Sequence, residues 1–214
     1  MTMINKNIFK HIQSSNIIAG LPACHYNSDL HNFEDNYSHR DKKFYASLEV
    51  VVNKLLDTEN QNASRYIFLC GVPGCGKTHF MVGLYKALVA KLGYIQGDGA
   101  MFSTFANLSQ EIISMFSEKI PLRTSLQGYT QARWLFLDDF TSTERVLKEN
   151  SLEYNMFRDI IINRYEDKRI LITSSNLNSI DLIPELDRLF GNYISSRLSD
   201  SIIVQFPSID MRRK

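Results

Sequence analysis

Short apolar runs alternate with longer stretches of helical period along most of this chain. Tyr66-Ile67-Phe68-Leu69-Cys70 is short, apolar and aromatic, and reads as a buried parallel strand. Ala100 to Phe105, Trp134-Leu135-Phe136-Leu137, Arg169 to Asn176 and Ile202 to Phe206 read as further strands, the last stopped by Pro207. Between them the period changes. Phe44, Leu48, Val51, Val52, Leu55 and Leu56 line one face of a helix within 41–57. Phe80, Met81, Leu84, Tyr85, Leu88, Val89 and Leu92 line a second, and Leu108, Ile112, Ile113 and Phe116 a third that ends near Pro121. Leu152, Phe157, Ile160, Ile161 and Tyr165 mark a helix over 151–165, and 182–198 reads as helix interrupted near Gly191. Residues 58–64 and 122–132 are polar and read as loop. Residues 1–40 have only a weak period, Ile4, Ile8, Phe9 and Ile12, broken by Gly20-Leu21-Pro22. No repeat or low-complexity segment interrupts the alternation. It predicts an α/β fold: a parallel sheet of about five strands with helices on both faces.

The turn after the first strand carries the chemistry. Gly71-Val72-Pro73-Gly74-Cys75-Gly76-Lys77-Thr78 matches G-x-x-x-x-G-K-[ST] in full, between a strand and a helix as the motif requires. Glycines let the backbone wrap closely, so that its N–H groups and the helix N-terminus aim at phosphate oxygens. Lys77 is then expected to reach the β- and γ-phosphates, and the Thr78 hydroxyl to ligate magnesium. The pattern predicts a nucleoside triphosphate site.

Asp138 and Asp139 follow the run Trp134 to Leu137, which puts an acidic pair at the carboxyl edge of the sheet, where open α/β folds bind ligands. This is the Walker B arrangement. Asp138 is expected to hold the magnesium through water, and Asp139 to orient or deprotonate the attacking water. Many such sites carry glutamate there; aspartate reaches one methylene less, so slow hydrolysis is expected. Asn176, at the polar end of the strand from Arg169, is the candidate for positioning the water near the γ-phosphate.

Composition narrows the setting. Length 214 favours one domain with a short extension. A net charge of +1 argues against a strongly basic nucleic-acid binder, while leaving local patches open. Cys24, Cys70 and Cys75 are odd in number and not spaced for a metal, so reduced thiols in the cytoplasm fit best. His25, His31 and His39 match no ligand template and read as surface residues. No signal peptide or membrane-spanning run is apparent.

From about Asn32 onward the chain resembles the DnaC/DnaI/IstB group of AAA+ ATPases, relatives of DnaA. The matching pieces are Phe33-Glu34-Asp35-Asn36-Tyr37, the Gly-Lys-Thr-His-Phe of 76–80, Leu135-Phe136-Leu137-Asp138-Asp139-Phe140, Asn163-Arg164-Tyr165-Glu166, Thr173 to Leu177, Ser195-Ser196-Arg197-Leu198 and Asp210-Met211-Arg212. The resemblance implies an AAA+ fold over residues 41–214, a short N-terminal helical extension over 1–40 and no separate C-terminal lid. It implies an ATPase using ATP and Mg2+, with Gly71, Pro73, Gly74, Cys75, Gly76, Lys77, Thr78 and His79 around the nucleotide. Asn176 is similar to the γ-phosphate sensor, and Arg212 to a second sensor closing over the phosphates. Arg197 looks like an arginine finger supplied to a neighbour's nucleotide, and hydrolysis would then depend on assembly into a homo-oligomer. Loaders often carry a further arginine one turn earlier. Here that position is Tyr193, so the finger is Arg197 or, from further upstream, Arg188. The implied work is loading of a replicative helicase onto single-stranded DNA. An IstB-like transposition adaptor, with a transposase or initiator as partner, is the alternative, and an ATP-dependent interaction switch with little hydrolysis is another. A separate helicase-binding domain is not expected from the length preceding Asn32.

Overall fold

A computed structural model describes residues 20–37, 42–56, 66–92, 99–140, 151–198 and 200–210. Inside its sheet runs the strand β1 (Tyr66–Cys70), in which every side chain is buried. Uniform burial follows from position: β1 pairs in parallel with β4 (Ile170–Ser175) on one side and β5 (Ile202–Gln205) on the other. Beyond β4 lie β3 (Trp134–Asp138) and β2 (Ala100–Thr104), which completes a five-stranded parallel sheet of order β2-β3-β4-β1-β5. Alternate residues feed opposite faces. Ile67 and Leu69 point into one core with Phe136, Ile172 and Val204, whereas Tyr66, Phe68 and Cys70 point into the other with Leu135, Leu137 and Leu171.

The first face is covered by α1 (Leu30–Tyr37), α2 (Lys42–Leu56) and α3 (Lys77–Leu92). The helix α3 is buried nearly all round, from Phe80 to Val89. Its outer side would otherwise be solvated, but the 20–33 segment lies on it and adds Leu21, Leu30 and Phe33 to the same core. Close approach requires Gly83, because a Cβ there would sit 2.7 Å from Leu30 N and 2.8 Å from Asp29 C. Phe206, just after β5, is fully buried against Phe33, Phe44 and Phe80.

The second face carries α4 (Phe105–Ser117), α7 (Leu152–Glu166), α8 (Ser179–Phe190) and α9 (Asn192–Leu198). The expected break at Gly191 is present, with φ of 68° separating α8 from α9. Phe105, expected in a strand, starts α4 instead, because the Thr104 hydroxyl accepts from Asn107 N at 3.1 Å and caps the helix. The stretch 122–132, read as loop, contains two short helices, α5 (Leu122–Ser125) and α6 (Gln127–Gln131). Burial of Leu126, Tyr129 and Ala132 at every third position holds them, a stripe too brief to stand out from its polar neighbours. Among the described residues no helix is long and apolar enough to cross a membrane.

Arg164 on α7 is fully buried and serves as a clamp. Its guanidinium donates to Tyr129 O at 2.7 Å, to Arg133 O at 3.2 Å and to Ile170 O. Burial pushes its pKa down to about 9, still above neutral pH, so the buried charge rests on these carbonyl dipoles. Arg164→Met is expected to cost about 3–5 kcal/mol, because the variant leaves buried carbonyls unpaired. Thermal unfolding should register this as a midpoint lowered by roughly 6–20 °C.

Candidate functional site

The carboxyl edge of the sheet gathers the polar ends of β1, β3 and β4. At the end of β1 the chain turns through Gly71, Gly74 and Gly76, with φ of 145°, 79° and 99°. Only glycine adopts these values without strain. At Gly71 space is also closed, since a Cβ would lie 3.0 Å from Phe206 Cβ and 3.1 Å from Cys75 Sγ. The Pro73-Gly74 turn follows, Cys75 N donates to Val72 O at 3.3 Å, and α3 begins at Lys77. The loop is pinned to the sheet where Gly71 N donates to Ser175 O at 3.1 Å. N–H groups of a helix's first turn lack intrahelical acceptors, so this loop opens a positive helix end toward the sheet edge.

Lys77 is buried, and its ammonium donates to Gly71 O at 2.5 Å, Val72 O at 3.0 Å and Asn176 Oδ1 at 3.0 Å. Cys75 Sγ lies 3.8 Å from the same nitrogen. Burial pushes the Cys70 thiol up to about 12, against the opposing pull of Lys77, so it stays protonated at neutral pH.

Thr78 Oγ1 donates to Asp138 Oδ2 at 2.8 Å, and Ser174 Oγ donates to Asp138 Oδ1 at 2.5 Å. Asp138 is 4% exposed. Burial raises its pKa, while the Ser174 and Thr78 hydrogen bonds pull it down. Asp139 is exposed and left-handed, with φ of 63°. Its N–H donates to Ser174 Oγ at 2.8 Å, and its Oδ1 accepts from Asn176 Nδ2 at 3.2 Å. Lys77, Asn176 and Asp139 thus form one chain of contacts, with Thr78, Asp138 and Ser174 beside it.

These groups fit a hydrated magnesium ion and a polyphosphate. A hydroxyl and a carboxylate from different elements meet at hydrogen-bond distance, and both are hard oxygen donors of the kind magnesium takes. Asp138 is a buried acid whose charged form lacks the solvation that a cation would supply.

Asp138 also carries a testable pH dependence. A raised folded-state pKa means that the folded protein binds this proton more tightly than the unfolded chain does. The resulting stability is full below the ordinary carboxylate pKa and is lost as pH rises through the elevated value. In metal-free buffer Asp138→Asn is therefore expected to unfold above the wild type at alkaline pH, with the gap closing as pH falls toward the ordinary carboxylate range. Scanning thermal unfolding across that pH span checks it, and added magnesium should raise only the wild-type midpoint.

The remaining sequence candidates lie elsewhere. His79 Nε2 meets Asn32 Oδ1 at 2.5 Å and Asp29 O at 3.2 Å, and its ring stands edge-on to Phe33. Its side chain binds the 29–33 segment to the first turn of α3. Burial lowers its pKa to about 4, with the Asp29 carbonyl opposing, so it is neutral at pH 7. Arg197, on α9, donates to Tyr193 O at 2.7 Å and lies over the rings of Tyr193 and Tyr165, so it makes no part of the cluster around Lys77. Arg188 is exposed and pairs with Glu185. Arg212 and His39 lie outside the described residues. His31 is half-buried, and His25 is half-buried with Nδ1 3.0 Å from Ser28 Oγ, so neither is a plain surface residue.

Sequence reasoning missed Ser174, which bridges Asp138 to the backbone of Asp139. Its only signal was the run of hydroxyls Thr173-Ser174-Ser175 at a strand's carboxyl end. Asn32, the partner of His79, had no local signal.

No protein-family model matches the chain. It is 26% identical over 154 residues to the uncharacterized protein YqaM of Bacillus subtilis, an alignment covering 68% of this chain and 44% of YqaM. The chain therefore matches under half the length of that relative. Among solved structures, the DnaC helicase loader superposes with a TM-score of 0.67 at 20% identity, over 87% of this chain and 100% of that one. AMPPCP-bound DnaA from Aquifex aeolicus superposes with a TM-score of 0.56 at 21% identity, over 74% of this chain and 45% of DnaA. The fold, a five-stranded parallel sheet flanked by helices, is the one these proteins share, as the resemblance implied.

Proposed function

We propose that this chain is an ATP-hydrolysing AAA+ protein of the helicase-loader type, acting in DNA replication by assembling on single-stranded DNA in the cytoplasm. The observation that carries the reading is the convergence of Lys77, Thr78, Asp138, Ser174, Asp139 and Asn176 into one bonded cluster at the carboxyl edge of the sheet. Likeness of fold to the DnaC helicase loader and to AMPPCP-bound DnaA supports it. Residues 41–214 form the ATPase domain in this reading, and 1–40 an extension.

The geometry supports the following roles. Backbone N–H groups of the loop from Gly71 through Gly76 and the start of α3 receive the phosphates. Lys77 transfers its charge from Asn176 and the loop carbonyls to phosphate oxygens. Thr78 and Asp138 would hold magnesium, which would supply neutralisation of phosphate charge. Ser174 keeps Asp138 aimed by donating to its other oxygen. Asp139 is exposed enough to meet water and acts as its base, while Asn176 orients the γ-phosphate side. Arg197 sits apart from this cluster, which supports its acting on a neighbouring protomer, and Arg212 is assigned the second-sensor role. The partner is a replicative helicase, and the assembly a homo-oligomer.

One observation favours a second reading. Asp139 is short for a water-activating base and is already held by Asn176, which suits a switch or transposition adaptor that binds ATP and turns it over little. ATP turnover against protein concentration, with and without a single-stranded oligonucleotide, separates the readings. Turnover per protomer that climbs with both supports the loader. Tight ATP binding with flat, negligible turnover supports the switch.

A further inference from the structure

Tyr193 has no task in the cluster, yet it is the residue most closely engaged with Arg197. The two are four apart on α9, so their side chains share a face. Arg197 Cζ lies 3.6 Å from the centroid of the Tyr193 ring, and its Nη1 donates to Tyr193 O at 2.7 Å. Tyr165, near the end of α7, brings a second ring to 5.2 Å. Arg197 Nε is buried without a hydrogen-bond partner among the described residues, and the contacts described for the guanidinium are ring faces and one carbonyl. Both rings remain open to solvent, Tyr193 at 54% and Tyr165 at 39%. The half-buried cation therefore sits on an aromatic seat whose rings face solvent.

We infer that Tyr193 is a positioning residue for Arg197, holding the guanidinium by its face so that its edge is presented to a neighbouring protomer's phosphates. This rests on the reading of Arg197 as a finger supplied in trans. A ring attracts a cation through the negative potential over its face, while phosphate oxygens are taken by N–H groups in the guanidinium plane. The ring contact and a phosphate contact use different parts of the group, and of the in-plane N–H groups Nη1 is the one that donates to Tyr193 O. An unseated arginine is spread over many rotamers, and ordering it would fall on the transition state. Tyrosine thus does at this position what an anionic partner could not do without repelling the incoming phosphate.

The test compares Tyr193→Phe, Tyr193→Leu and Arg197→Ala with the wild-type chain. Turnover per protomer is read at saturating ATP and high protein concentration, with ATP affinity and thermal unfolding measured alongside. Tyr193→Phe keeps the ring and should match the wild type. Tyr193→Leu keeps bulk without the π face and should lower maximal turnover about 2- to 5-fold at unchanged ATP affinity. An unchanged or faster Tyr193→Leu, with Arg197→Ala inactive, overturns the positioning role and leaves the finger standing. An equal loss in Tyr193→Phe overturns it too, since the hydroxyl and not the face would then matter. Wild-type turnover in Arg197→Ala removes the finger reading and the positioning role together.

Discussion

Lys77→Ala is expected to weaken ATP binding by about 10²–10³-fold while the chain remains folded. Among the described residues the ammonium is the one positive side chain inside the loop cluster, and charge-assisted bonds of this kind contribute about 1.5–3 kcal/mol each. Two such bonds transferred to phosphate oxygens amount to about 3–6 kcal/mol, of which part is already spent in the free protein on Gly71 O, Val72 O and Asn176. The net therefore falls near the low end, about 3–4 kcal/mol, or two to three decades of affinity. Folding should survive, because the glycine turn and the Gly71 N bond to Ser175 O remain when the lysine's bonds to Gly71 O and Val72 O are lost. Equilibrium binding of a fluorescent ATP analogue, with thermal unfolding as control, checks both halves. Wild-type affinity in this variant would sink the nucleotide assignment itself.

Arg197→Ala should leave ATP affinity unchanged and remove assembly-stimulated turnover, by about 10³-fold where the finger acts as in other phosphoryl-transfer systems. The separation of binding from turnover follows from place. Arg197 is held on α9 by Tyr193 and Tyr165, and the contacts of Lys77, Thr78 and Asp138 do not include it. A group that touches only a neighbour's phosphates changes kcat at high protein concentration and leaves the protomer's own Kd alone. Turnover measured over a protein titration, with ATP binding measured at low concentration, distinguishes this from a fold defect. Retained turnover at every concentration would move the finger to Arg188 or away from α8 and α9 altogether. The exposed pairing of Arg188 with Glu185 makes it the weaker candidate.

How much of the site could be read from residues alone differs from group to group. The glycine turn was legible because its determinants are adjacent: an apolar strand, glycines where φ must be positive, and a helix opening on Lys77. Asp138 and Asn176 were legible because parallel strands all end on the same edge, so a polar residue closing an apolar run is placed without knowing its neighbours. Ser174 was not, since its importance comes from the β3–β4 pairing that sets it opposite the acidic pair. His79 looked like part of the loop, and its ring instead faces Asn32 and Asp29, 47 and 50 residues earlier.

The chain's local order determined the strand and helix alternation, the glycine turn and the two ends where acids and amide gather, because each depends on residues within one turn or one strand. Tertiary structure alone decided the rest. It buried α3 on all sides by laying 20–33 across Gly83, and it sank Arg164 among carbonyls from α6, β4 and the approach to β3. It also seated Arg197 between rings on two helices. Those outcomes rest on contacts between residues distant in sequence, whose free energy exists only once the sheet has brought its layers together.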